Sequence, residues 1–221
     1  ADTRLQPNDL KQHLFANASV LHFGSISLIE SPAAEATKKA VELARAHKLL
    51  VSYDPNVRIS LWPSKETCRQ TILNTLGWAD VVKINEDELE FLTGSREQGA
   101  ADTLRAEHNL PLLIITLDSR GAYFVTKEGG KHVTGFQVEL VEATGAGDGF
   151  NSGVIGGLLP YIKNSTDRRE TLVGLDHSKL SDIIRTANAI GAITCTKAGA
   201  IPALPTKEEI VLFFQKMSVK S

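Results

Sequence analysis

The sequence predicts an α/β domain of three layers, a mainly parallel sheet with helices on both faces. Short β-branched runs alternate with amphipathic helical stretches, LPLLIITL has the make-up of a strand buried on both sides, and internal repeats and low-complexity segments are absent. The alternation continues along the chain, so one domain covers 1–221.

The elements follow in order. Residues 19–24 (SVLHFG) form a strand, and 32–48 have apolar positions at helical spacing. A strand at 49–54 (LLVSYD) precedes a helix over 64–77 with Ser64 as its N-cap. DVVKIN (80–85) is a strand running directly into a short helix, EDELEFLTG, closed by Gly94. A helix over 96–109 leads to the buried strand 110–117. GAYFVTK, KHVTG and FQVELVE suggest two or three strands joined by tight turns, EGG being one. Helices follow at 145–159, 179–197 and 206–217, and the polar stretch 163–179 has no period and is expected to be a surface loop.

Composition excludes several classes. Of the 221 residues, 42% are hydrophobic and 23% charged, the balance of a soluble globular protein. A net charge of −2 provides no footprint for nucleic acid or an anionic membrane. No apolar run approaches the roughly 20 residues of a membrane span, and no signal segment opens the sequence. The only cysteines, Cys68 and Cys195, are far apart, which suits a reducing, cytoplasmic setting. The six histidines have no paired spacing and give histidine-based metal catalysis no support.

Ligands of open α/β sheets bind beyond the carboxyl ends of the strands. The loops FGS, YDPNVR, KINEDE, TLDSRG and EATGAGD are therefore the candidates, expected to converge on one edge. The last is the most informative. A helix start carries bare N–H groups and partial positive charge, and glycines let an anion approach them. TGAGD (144–148) thus suits phosphate or a developing phosphoryl charge. An anion hole alone would not select Asp148, whereas a general base removing a proton from an attacking hydroxyl would be an aspartate. The same residues also suit a tightly packed helix in which Asp148 only favours the helix dipole. Gly153, Gly156 and Gly157 lie deeper and suit close packing of helix on sheet.

EATGAGDGFNSGVIGGLL is similar to the C-terminal signature of the PfkB, or ribokinase-like, sugar kinases. FGSISL, DPNVR, NEDE, TLDSRG, ANAIGA and TKAGAIPALP agree with the family in order. SYDPNVRISLWPS, ELEFLTG and GAIPALP most resemble the fructokinase branch. The resemblance implies a ribokinase-like αβα fold and transfer of the γ-phosphoryl group of ATP to a primary hydroxyl, with fructose as acceptor. 2-Keto-3-deoxygluconate, a riboside, or a catalytically silent scaffold are the alternatives. It further implies Asp148 as base, and the amides of Gly145, Ala146 and Gly147 as the anion hole. Asn85 and Glu88 match the N-x-x-E motif that positions Mg²⁺ and phosphates, Glu88 through water. An acid favoured in a first helical turn explains Glu88 equally simply. Thr116, Leu117, Asp118, Ser119, Arg120 and Gly121 match the loop lining the nucleotide together with Gly147, and Asn188 the position beside the adenine, with plain packing as its alternative. Asn56 and Arg58 match a D-x-N-x-R element near phosphates and substrate; alone, DPNVR is a turn with a solvated arginine. Glu142, Thr144, Thr194, Lys197, Gly199 and Ala203 match the surroundings of a K⁺ ion. Trp62 is expected to be a packing residue.

Three departures stand out. Glu142 occupies the family's usual aspartate position, Ala143 a frequent threonine, and Asp118 the glycine of T-L-G. The family's initial strand with its sugar-binding aspartate, the GGAPAN-type motif and the small β lid have no counterpart here. ADTRLQPNDL resembles the segment just after that lid, which fits a cut or processed chain. The resemblance implies a homodimer formed through the lid in a longer protein.

Overall fold

The computed structural model describes residues 2–218. Their elements are α1 (Gln12–Asn17), β1 (Val20–Gly24), α2 (Ala33–Ala46), β2 (Leu50–Asp54), α3 (Lys65–Leu76), β3 (Val81–Asn85), α4 (Glu86–Thr93), α5 (Gln98–Glu107), β4 (Leu112–Thr116), β5 (Gly121–Thr126), β6 (Gly129–Thr134), α6 (Ala146–Ile162), α7 (Arg168–Val173), α8 (His177–Thr194) and α9 (Lys207–Ser218). The six strands form one sheet in sequential order. No helix among the described residues is long and apolar enough to cross a membrane.

The chain divides into two compact units. The first comprises Ala1–Thr116, Phe124–Gly130 and Tyr161–Gly174. Its strands β1 to β4 are parallel, with Val20 opposite Leu50, Tyr53 opposite Val82 and Asn85 opposite Thr116. Leu50, Val51, Ile84 and Leu112 to Ile115 are buried, as expected of parallel strands covered on both faces. Phe23 stacks on Tyr53 at 4.4 Å between centroids. Local chemistry sets the helix ends: Ser64 Oγ accepts from Thr67 N–H at 3.0 Å, and Gly94 closes α4 with φ +82°. Beneath β3, the carboxylate of the wholly buried Asp80 accepts from Val51 N–H at 2.8 Å and pairs with Arg45 and Arg169.

The second unit comprises Leu117–Tyr123, Lys131–Pro160 and Leu175–Ser221. Its core joins Phe150, Val154 and Leu158 of α6 with Leu180, Ile184, Ala187 and Ile190 of α8. A Cβ on Gly153 would lie 2.7 Å from Ala187 Cα, and one on Gly157 2.8 Å from Ile183. Close packing is thus the role of these glycines, but against helix α8 rather than the sheet. At Gly156 a Cβ would meet nothing within 4 Å, so that position needs no glycine for packing.

Three sequence expectations are corrected. FQVELVE is no strand: Phe136 meets Phe213 and Phe214 of α9 edge-on, and the Val141 and Glu142 N–H groups donate to Cys195 O. Phe136 serves helix contacts instead of a ladder, while Leu140 and Val141 are exposed. The stretch 163–179 contains α7 and the start of α8, capped by Asp167 and Asp176, which accept from Glu170 and Lys179 N–H. A six-residue helix is too short to show a period, so its cap was the only available signal. Gly129 and Gly130 lie within β6, and the turn falls at Lys127 and Glu128. α1, which buries Phe15, had no sequence signal strong enough to predict it.

Candidate functional site

In the first unit, three of the expected loops do meet. Ser25, after β1, donates through N–H and Oγ to Pro55 O at 3.2 and 2.5 Å. The loop after β2 is in turn tied to α4, because Val57 N–H donates to Glu88 Oε1 at 2.7 Å. Parallel strands of matched length end together, so short loops beyond them can bond directly.

Asn85 and Glu88 form a reciprocal cap: Asn85 Oδ1 accepts from Glu88 N–H at 2.8 Å, and Glu88 Oε2 from Asn85 N–H at 2.9 Å. Each Glu88 oxygen therefore already holds one backbone N–H. Burial pushes the Glu88 carboxyl up from its ordinary range, while the Val57 and Asn85 N–H groups and the Lys83 charge pull it back. Asp54 Oδ1 accepts from Asn56 N–H at 3.1 Å, and Asp54 Oδ2 pairs with Lys83 Nζ at 3.1 Å, both side chains about nine-tenths buried. Asn56 adopts φ +45°, and both it and Arg58 are exposed. Thr116 Oγ1 donates to Ile84 O. Trp62 is buried, as a packing residue should be.

The second unit holds the glycine cluster. Gly145 has φ +82°, and a Cβ there would lie 3.0 Å from Ala200 Cα. Ala146 N–H donates to Ala143 O at 3.1 Å within its own turn. Gly149 N–H is the first to close a helical turn, onto Gly145 O at 2.8 Å. Gly147 and Asp148 consequently occupy the positions whose N–H groups lie beyond the reach of intrahelical acceptors. Asp148 is exposed in the first turn of α6.

Leu117 N–H donates to Gly121 O at 2.8 Å, enclosing a tight turn of Asp118, Ser119 and Arg120. Asp118 takes φ +51°, the backbone region a glycine would occupy without strain. Gly121 is obligatory: a Cβ would sit 2.1 Å from Val133 O. Asn188, buried in α8, donates through Nδ2 to Val133 O and Thr134 O, which gives it a packing role regardless of any ligand.

The residues expected around K⁺ cluster in part. Glu142 Oε2 accepts from Gly199 N–H at 2.8 Å. That bond, then one from the Thr144 hydroxyl, holds its carboxyl below the ordinary range. Thr194 donates to Ile190 O within α8, Lys197 pairs with Glu209, and Ala203 is buried. A K⁺ ion would rely on backbone oxygens of these joined loops, in keeping with its preference for neutral oxygen. Among the described residues no three His, Cys, Asp or Glu side chains cluster as a metal site.

Sequence reasoning missed Lys83. The signal was available, since a lysine within the buried run DVVKIN requires a buried partner.

Residues 1–207 match the family described as pfkB family carbohydrate kinase. A probable fructokinase-4 of Arabidopsis thaliana is 44% identical over 211 residues, covering 95% of this chain. The chain spans 62% of that relative's length. A fructokinase double mutant of Vibrio cholerae O395, solved with fructose, ADP and a potassium ion, superposes with a TM-score of 0.82 at 32% identity, over 96% of this chain and 65% of that one. Aminoimidazole riboside kinase of Salmonella enterica, solved with its riboside and an ATP analogue, gives 0.81 at 32% identity, over 97% and 68%.

Proposed function

The chain belongs to the pfkB family of carbohydrate kinases, and from that premise we propose that it catalyses transfer of the γ-phosphoryl group of ATP to a primary hydroxyl of a sugar, fructose foremost. The observation that carries the reading is Asp148, an exposed acid in the first turn of a helix entered through Gly145 and Gly147. In the proposed reaction the Asp148 carboxylate takes the proton of the attacking hydroxyl while the oxygen bonds to phosphorus and the bond to the ADP oxygen breaks. The open N–H groups at the helix start, Gly147 foremost, would face the charge that builds on the transferring group, where such donors contribute about 3 kcal/mol each, whereas Ala146 N–H is taken by Ala143 O. Arg58 has the planar fork that suits phosphate, and Asn56 shares its loop. The 116–121 turn and Asn188 belong to the nucleotide side of the reading. Glu88 would hold Mg²⁺ through water and the Glu142 loop would hold K⁺; when bound, these ions would supply positive charge to neutralise the phosphates.

Identity to a riboside kinase equal to that with the bacterial fructokinase keeps a riboside as the second acceptor. A cytoplasmic location, where ATP is supplied, and a homodimer formed through a lid complete the proposal. The test is ATP-dependent phosphorylation across sugars and ribosides with Mg²⁺ and K⁺, using the longest form of the protein, beside an Asp148→Asn variant. Turnover of fructose that collapses in the variant supports the reading. A folded, ATP-binding protein without turnover of any acceptor refutes it in favour of a scaffold.

A further inference from the structure

Asn56 and Val57 lie in an exposed loop, yet their successive N–H groups are each held by a carboxylate from beneath, Asp54 at 3.1 Å and Glu88 at 2.7 Å. Both acids are buried, and Asp54 is paired in turn with the buried Lys83 at 3.1 Å. The three residues come from three places: the last residue of β2, the middle of β3 and the first turn of α4. Two carboxylates taken out of water in one neighbourhood repel each other unless a cation sits with them. Lys83 is that cation. An exposed loop otherwise explores many conformations, and Asn56 in particular is kept at φ +45°, where a non-glycine residue rarely stays. The sequence pattern supports the same point, for Lys83 interrupts an apolar strand at a cost that only a buried partner offsets.

We infer that Lys83 is a positioning residue: through Asp54, and together with Glu88, it holds the Asn56–Arg58 loop in a single shape and so presents Asn56 and Arg58 for binding. Lys83 touches no reactant. A contact of Glu88 with a metal through water is compatible with this, because each of its oxygens keeps a second lone pair. The kinetic part of the inference rests on the kinase reading, whereas the structural part does not.

The experiment compares Lys83→Met, Lys83→Arg and Glu88→Gln with the unaltered full chain. Amide hydrogen exchange is followed at Asn56 and Val57, with Leu112–Thr116 of β4 as an internal control. Lys83→Met is expected to speed exchange at Asn56 and Val57 by about tenfold or more while β4 stays protected, and Lys83→Arg to restore most of that protection. Glu88→Gln, the milder change, is expected to speed Val57 chiefly, and it decides the matter should Lys83→Met not fold. In steady-state assays KM rises about fivefold in Lys83→Met with kcat within about twofold, the pattern of lost binding rather than lost chemistry. Unchanged exchange at both amides, or acceleration spread evenly over β4 as well, overturns the inference. If the unaltered protein phosphorylates no acceptor, the kinase reading fails while the exchange data still decide this one.

Discussion

Asp80 and Asp148 are two aspartates with opposite surroundings. Asp80 is wholly buried at the entry to β3, served by the Val51 N–H, Arg45 and Arg169. Asp148 is exposed at the start of a helix whose entry is glycine. An acid whose every oxygen is matched by protein donors has its work inside the fold. An acid exposed at a helix start is not needed by the core, and in the proposed reaction its lone pairs take the proton of the attacking hydroxyl. The contrast predicts that stability and activity separate cleanly between the two.

The largest effect is expected at Asp148. Asp148→Asn should lower turnover by about 10²- to 10⁴-fold, the usual contribution of a general base, with the melting temperature essentially unchanged. A large loss of melting temperature in this variant would break the contrast. Asp80→Asn should do the reverse, destabilising the fold by about 3 kcal/mol, the low end for a broken buried pair because both arginines are about a third exposed. Urea unfolding measures it, and the surviving folded protein should keep its turnover.

Two glycines of α6 sharpen the same comparison. Gly153→Ala should cost about 1–3 kcal/mol, since its Cβ would meet the Ala187 backbone at 2.7 Å. Gly156→Ala meets nothing and should stabilise by about 0.5–1 kcal/mol through lower chain entropy and better helix propensity. Equal effects at both would mean that α6 does not pack as described.

The smallest effect is at His108, after α5, whose imidazolium is disfavoured by burial. Its folded value lies below its unfolded one, so stability is fully present above about pH 6.5 and falls as pH drops toward the folded value. His108→Gln should remove that part of the slope in melting temperature between pH 5 and 8.

How legible these features were depends on their range along the chain. Ser64 caps α3 through a residue three places on, so that cap was evident beforehand. The DPNVR loop was evident as a motif, but its fastening to Glu88 spans 31 residues and left no local mark. FQVELVE shows the opposite failure. Its alternation suits a strand, yet the partners available to it were α9 and the end of α8, and tertiary packing overrode the local preference. Glu142, which occupies the family's usual aspartate position, reaches the Gly199 N–H across 57 residues, a contact that likewise left no local mark.

By itself the sequence determined the alternation of strands and helices, the Ser64 and Gly94 caps, the glycine-lined start of α6 with its aspartate, and the family. Periodicity, capping and motif all act within a few residues, where covalent connection already brings the groups together. Only the tertiary structure decided that Lys83 answers Asp54, that Asp80 collects two arginines, and that Gly153 but not Gly156 is required. Those outcomes depend on which distant groups share a buried volume, and the cost of an unpaired charge or an overfilled space arises only once that volume has closed.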